Sequence, residues 1–275
     1  MSLDEGKYMN QQQMSERNKV GWNQNAYEAW VSRHGTPHEY AMQLSADPLK
    51  KVGFYLEEVG EVRGKSVLNL LGSKGNKAVC FALLGADVTV VDLSSENKRY
   101  AMELAVAAGV AITYIVNDVL ELAEEEISQF DIVILEMGVL HYFVDLCPLF
   151  QKVSALMKEN GVFIVRDYHP FVSKTLRMTN GDAVLDGDYF SDEYREVDVA
   201  YSALLPKQTQ QKLEKNVIRQ WTLSEVINAL IHSGLNIRKM KEDKGVHWAF
   251  PAGSPDGIAE RLPGTFTMIA SKDFR

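Results

Sequence analysis

Cysteine is scarce in this 275-residue chain, which holds only Cys80 and Cys147. Two cysteines cannot build a disulfide framework or a Cys/His zinc site, and both fall in helix-like segments where they read as small buried apolar side chains. Long apolar runs are missing too, and none approaches the roughly 20 residues that span a bilayer. The start, Met1-Ser-Leu-Asp-Glu-Gly, lacks a basic and apolar leader, so a cytoplasmic location is expected. Positive charge is short: 29 Lys+Arg against 37 Asp+Glu leave a formal charge of −8. That argues against a broad nucleic-acid surface, which needs a basic patch, although Lys207–Lys215 is locally basic. Gly-x-Gly-x-x-Gly and Gly-x-x-x-x-Gly-Lys-Ser/Thr are both absent. His34 and His38 have i, i+4 spacing, but Gly35 and Pro37 break any helix there, and no metal site is expected.

What is present is a βαβ unit over Val67–Leu93. Ser66–Leu71 reads as a buried strand, Gly72-Ser-Lys-Gly75 as a tight turn, and the residues from Asn76 to Gly85 as a helix with a glycine stop. Asp87–Val91 is a second buried strand ending on Asp92, 20 residues after Gly72. A small-residue loop at a helix mouth with a carboxylate at the next strand tip suits a nucleoside-bearing cofactor. Backbone approaches the ligand where side chains are absent, and the acid accepts from ribose hydroxyls.

The remainder extends an α/β pattern. Residues 1–20 are polar and read as loose or frayed, whereas Tyr27, Trp30 and Val31 share one face of a helix that either packs on the domain or closes over the cofactor. Asp47–Glu61 reads as one amphipathic helix. Ser94 or Ser95 caps a helix to Ala108, and Ala111–Val116 is a third strand ending in Asn117-Asp118-Val119. Glu121–Glu126 is an acidic solvated face. Phe130–Leu135 is a fourth strand, ending in Glu136-Met137 and followed by His141. A helix with Pro148 in its first turn runs to Asn160-Gly161, and Val162–Arg166 is a fifth strand leading to Asp167 and His169. Residues 171–215 break the rhythm and are read as an insert capping the site, with a weak strand at Glu196–Leu204 and a polar turn at Lys207–Lys215. Thr222-Leu-Ser-Glu225 is a capping box for a helix to Ser233. Leu235–Met240 and Thr265–Ser271 are strands six and seven with only loop between them, which implies antiparallel pairing at the sheet's end.

This order, with Asn69, Gly72, Gly75, Asp92, Asp118 and Glu136 at strand tips, resembles the class I S-adenosylmethionine-dependent methyltransferases. The resemblance covers about Lys65–Arg166 and Trp221–Arg275. It implies a Rossmann-like, doubly wound seven-stranded sheet with an antiparallel last strand, a helical lid over residues 1–60, a core of residues 61–170 and 216–275, and the insert. The family's first motif falls on Asn69, Gly72, Ser73 and Gly75, against the donor's methionyl part. Here Asn69 replaces the usual acid, and Leu71 and Ser73 stand where the first two glycines would be. Asp92, with Leu93 beside it, falls on the ribose acid, Asp118 and Val119 on the adenine edge, and Glu136 and Met137 on the methionyl and acceptor side. Tyr27 and Trp30 are expected to stack on or shield the cofactor. His141 or His169 is expected to take a proton from the acceptor, with Asp167 orienting either histidine or binding the acceptor. The implied reaction is methyl transfer from S-adenosylmethionine to a small-molecule acceptor, giving S-adenosylhomocysteine without a metal. The alternatives are a non-catalytic S-adenosylmethionine-binding module, an RNA methyltransferase and a nicotinamide oxidoreductase. No membrane partner is expected, and a homodimer is left open.

Overall fold

The structure is a computed structural model that describes residues 9–123 and 127–272. Four helices come first: α1 (Gln11–Trp22), α2 (Ala26–His34), α3 (Pro37–Ala46) and α4 (Leu49–Val59). Alternation follows, with β1 (Ser66–Leu70), α5 (Asn76–Leu83), β2 (Asp87–Asp92), α6 (Ser95–Ala107), β3 (Thr113–Val116), β4 (Phe130–Glu136), α7 (Leu146–Leu156) and β5 (Met157–Tyr168). The insert holds β6 (Leu176–Thr179), β7 (Asp182–Leu185), β8 (Tyr194–Val197), α8 (Lys207–Gln210) and β9 (Asn216–Arg219). The chain closes with α9 (Leu223–His232), β10 (Leu235–Asp243) and β11 (Thr265–Lys272). Among the described residues no helix is long and apolar enough to cross a membrane.

The main sheet has the order β10-β11-β5-β4-β1-β2-β3. Strands β1 to β5 pair in parallel, and β11 runs antiparallel to both β5 and β10. Its central strands β1, β2 and β4 are apolar on both faces, as a sheet covered by helices on both sides requires, whereas the edge strand β10 is charged and largely exposed. Val67, Val88, Val90, Ile132 and Ile164 pack under α2, α3, α5 and α6. Leu68, Leu70, Val133, Leu135 and Phe163 pack under α7 and α9. The order reverses between β1 and β4, and ligands of open α/β sheets bind beyond the carboxyl strand ends at such a point.

Several sequence expectations are corrected. The polar N-terminus is not frayed beyond Asn10: the Asn10 and Gln13 side chains form a reciprocal capping box, and Met14 and Asn18 are buried. Asn18 exchanges two hydrogen bonds with the Val217 backbone, 2.9 and 2.7 Å, so α1 is held by the edge of β9. The single helix expected over Asp47–Glu61 is preceded by another, because Thr36 and Glu39 form a capping box with Pro37 at the first helical position. Helix α7 stops at Leu156 rather than Asn160, and β5 starts at Met157. The strand tolerates Asn160-Gly161 because Asn160 takes a left-handed φ of 63° at a register shift. Cys80 is buried as expected, but Cys147 is only half-buried at the start of α7.

The insert is more structured than its polarity suggests. Asn180-Gly181 turns β6 into β7 with φ of 54° and 92°, the two positive values that a tight hairpin needs. Val172 and Leu176 share a small apolar cluster with Val246, Ala249 and Phe250 of the loop before β11. The strand expected at Glu196–Leu204 is β8 plus a short turn at Ser202–Leu204, and a one-turn helix, α8, opens the polar segment. The acidic face read over Glu121–Glu126 lies partly outside the described residues.

Candidate active site

The loop after β1 runs through alternating left-handed positions: Leu71 and Ser73 at φ 48° and Gly75 at 70°. Such positions favour glycine, and for other residues they store strain of about 1–3 kcal/mol each. Leu71 and Ser73 therefore keep a glycine-type path without glycine. Gly72 between them has no alternative, since a Cβ there would lie 2.7 Å from Val90 and 2.8 Å from Asn69 Oδ1. Asn69 is buried behind Gly72 with its Nδ2 unpartnered, and Ser73 Oγ is also buried and unpartnered.

Asp92 organises the loop. Its Oδ2 accepts from Ser73 N (2.9 Å), and its Oδ1 accepts from Ser94 N (2.9 Å) and Asn97 Nδ2 (3.2 Å). Burial raises the Asp92 pKa, against the pull of those three donors. Trp30 Nε1 donates to Asn97 Oδ1 (2.8 Å), and the Tyr114 hydroxyl donates to Ser73 O (2.7 Å). Among the described residues Asp92 Oδ2 receives one donor, so it keeps acceptor capacity.

A cavity of about 300 Å³ opens at these strand tips. Gly72, Ser73, Asp92, Leu93, Asp118, Val119, Glu136 and Met137 border it, as do Trp30 and His141. Asp118 caps its turn by accepting from Leu120 N at 2.9 Å. Glu136 contacts the Lys77 ammonium and accepts from the Tyr55 hydroxyl. Burial pushes the Glu136 carboxyl up to about 8, against the pull of Arg166, and the Lys77 ammonium down to about 7, helped by Lys74, Lys51 and Arg166, so both are driven toward their neutral forms. Lys74 lies 4.2 Å above the Trp30 ring, and burial lowers its pKa to about 8.

Other expected residues stand elsewhere. Tyr27 is absent from the cavity wall: its hydroxyl donates to Glu103, and its ring meets Tyr100 edge-on at 5.6 Å. Gly75 packs toward Ala101 as the cap of α5, and Asn69 stands behind the wall. Asp167 accepts from Gly138 N (2.6 Å), Val139 N (3.2 Å), Leu140 N (3.1 Å) and Tyr168 N (2.7 Å). It therefore shapes the turn after β4, where Met137 sits at φ 57°. His169 is tied by Glu242 at its Nε2 (2.8 Å) and by Phe171 N at its Nδ1 (3.1 Å), which fixes the proton on Nε2. His141 does border the cavity, stacked edge-on with Tyr142 at 4.3 Å. Its pKa is lowered by burial, with Asp167 raising it and Arg195 lowering it further.

Sequence reasoning missed Gln11 and Ser15 of α1, Lys74, Lys77, Tyr142 and Tyr168 on the wall. The Gly-Ser-Lys-Gly-Asn-Lys string carried both lysines, but nothing in its spacing showed that they turn inward. The residues present fit a nucleoside-bearing ligand, through an acid with spare acceptor capacity beside unpartnered buried polar atoms in a largely apolar cavity.

Residues 70–165 match the methyltransferase domain family. A ubiquinone biosynthesis O-methyltransferase of Bordetella pertussis is 29% identical over 135 residues, which are 49% of this chain and 56% of that protein. The chain thus spans about half the length of the curated relatives it matches. An S-adenosylmethionine-dependent methyltransferase of Clostridium acetobutylicum superposes with TM-score 0.58 at 18% identity, covering 86% of this chain and 97% of the other. Magnesium protoporphyrin IX methyltransferase of Synechocystis, solved with S-adenosylhomocysteine, gives TM-score 0.57 at 14% identity over 94% and 99%. Residues 70–165 thus carry a segment of the methyltransferase domain family, and the fold of the chain is that of the S-adenosylmethionine-dependent methyltransferases on which it superposes.

Proposed function

We propose that the protein transfers a methyl group from S-adenosylmethionine to an oxygen of a small-molecule acceptor. The observation that carries this reading is Asp92, held at the tip of β2 by Ser73, Ser94 and Asn97 and bordering the cavity with acceptor capacity left on Oδ2. In this reading Asp92 binds the ribose hydroxyls, and Asp118 and Val119 read the adenine edge. Glu136 and Lys77 face the amino-acid end, where an ion pair complements a zwitterion. Bound there, S-adenosylmethionine supplies a methyl group on a sulfonium.

The chain contributes alignment and exclusion of water, the main requirements of an in-line displacement. Asn18 and Trp22 of α1 and Ala200 of the insert border the cavity from outside the sheet. The lid of this reading is therefore α1 with the second half of the insert, since Trp30 belongs to the main core. His141 is the proton acceptor. The oxygen choice draws on the relative named an O-methyltransferase, and a cytoplasmic location belongs to the same reading. The test is a pair of measurements on the full chain. S-adenosylmethionine, and not NAD, should raise the melting temperature, and S-adenosylhomocysteine should accumulate with an acceptor mixture. Stabilisation by NAD alone overturns the assignment, and donor binding without turnover leaves a non-catalytic binding module.

A further inference from the structure

Among the described residues two lysines border the cavity, Lys74 and Lys77, and their surroundings differ. Lys77 opens α5 and is spent on the Glu136 carboxylate in the wall. Lys74 stands inside the Gly72-Ser-Lys-Gly75 turn, half-buried, with its Nζ 4.2 Å from the centre of the Trp30 ring. That ring is fixed from its other edge, since Trp30 Nε1 donates to Asn97 Oδ1 over 2.8 Å. Lys74 forms no ion pair among the described residues. The charged groups near enough to act on it, Lys51 and Arg33, are both cations.

A ring face offsets only part of the cost of taking an ammonium out of water. The acids that border the same cavity are engaged with other groups. Glu136 meets Lys77 and Tyr55, Asp92 holds Ser73, Ser94 and Asn97, and Asp118 caps its own turn. An ammonium left without a counter-ion on the wall of a largely apolar cavity is a recognition element for an anion. The low local dielectric strengthens the pairing that a ligand then supplies.

The position of Lys74 in the loop says which anion it meets. Lys74 directly follows Ser73, whose amide bonds Asp92, the ribose acid of the donor reading. It is also close enough to Lys77 to lower the pKa of that ammonium. Lys74 therefore joins the ribose end of the site to the Glu136–Lys77 pair at its amino-acid end.

We propose that the Lys74 ammonium binds the α-carboxylate of S-adenosylmethionine and makes the site selective for donors that carry that group. The proposal rests on the methyl-transfer reading above and deepens it. Lys77, in contrast, serves Glu136.

The test titrates the full chain by calorimetry with S-adenosylhomocysteine and with its decarboxylated counterpart, which keeps the ammonium and loses only the carboxylate. The intact ligand should bind about 10-fold tighter or more, the size of one charge-assisted hydrogen bond. Lys74→Met keeps an unbranched side chain without the charge. It should erase that preference without weakening the decarboxylated ligand, and Lys74→Arg should retain part of it. Lys77→Met should weaken both ligands alike and keep the preference. Equal binding of the two ligands by the wild type, or an intact preference in Lys74→Met, overturns the proposal and leaves the donor reading standing. Binding of neither ligand by the wild type ends the donor reading, and the role of Lys74 with it.

Discussion

The Ser73 amide donates to the Asp92 carboxylate over 2.9 Å, which ties the loop after β1 to the tip of β2. One carboxylate thus both holds the loop and faces the cavity. Asp92→Asn keeps the shape and removes the charge, and is expected to weaken S-adenosylmethionine binding by about 1.5–3 kcal/mol, roughly 10- to 150-fold. Asp92→Ala removes the acceptor from three donors as well, so its melting temperature should fall further than that of Asp92→Asn. Calorimetry and thermal unfolding on the two variants separate these roles, and unchanged affinity in Asp92→Asn removes Asp92 from the ligand site.

The strained loop gives a second expectation. Ser73 holds a left-handed φ of 48°, and its hydroxyl is buried without a partner. The side chain makes none of the loop's hydrogen bonds, since Asp92 and Tyr114 meet the Ser73 backbone. Ser73→Gly relieves about 1–2 kcal/mol of left-handed strain and loses about 0.4–1 kcal/mol to greater freedom of the unfolded chain. A net gain of about 0.5–1 kcal/mol should raise the melting temperature by a degree or two. A lower melting temperature would show that the hydroxyl has a partner in solution.

These two residues also show how far the sequence could be read. Asp92 is found by its position after a buried run of β-branched residues, because strand periodicity and the βαβ spacing fix which residue meets the cavity. The loop conformation is legible only as an oddity, since Leu71 and Ser73 occupy positions where glycine is usual. Helix periodicity alone puts Tyr27 on the cofactor. Periodicity says that Tyr27 and Trp30 share a face, but not which rows of that face meet α6 and which meet the cavity. Lys77, Tyr55 and Glu136 come from three elements far apart in sequence, and no local pattern announces that they meet.

Stability should depend on His34. Its ring stacks on Tyr40 at 4.2 Å, and burial lowers its pKa to about 4, helped by Lys74, Lys51 and Arg33. The folded chain then keeps His34 neutral while the unfolded chain protonates below about 6.5. Between pH 6.5 and 4 the unfolded state binds more protons, so stability falls as the pH drops and the loss is complete near pH 4. With discount for partial exposure, about 1 kcal/mol should be lost from this residue between pH 7 and 5. His34→Phe keeps a ring on Tyr40 without the titration, and its melting temperature should fall less over that interval. Parallel curves for the two proteins would remove His34 from the pH dependence.

The two histidines after β4 and β5 should separate cleanly. His141 borders the cavity, and burial lowers its pKa, so it is neutral at pH 7 and free to accept a proton. His169 already spends both ring nitrogens, on Glu242 and Phe171 N. With a turned-over acceptor, His141→Ala should lower kcat by about 10²-fold, the usual size of a general-base effect, with donor affinity intact. His169→Ala should instead lower the melting temperature and leave turnover near the wild-type level. The pH profile provides a further check. A base with a lowered pKa keeps turnover flat from pH 8 down past 6.5 before the acid limb falls. Arg195 holds the His141 pKa down, so Arg195→Gln should move that limb to higher pH, whereas a merely structural Arg195 would leave it in place. If His141→Ala retains wild-type turnover and Arg195→Gln leaves the limb unmoved, the acceptor loses its proton to water and the protein acts by alignment alone.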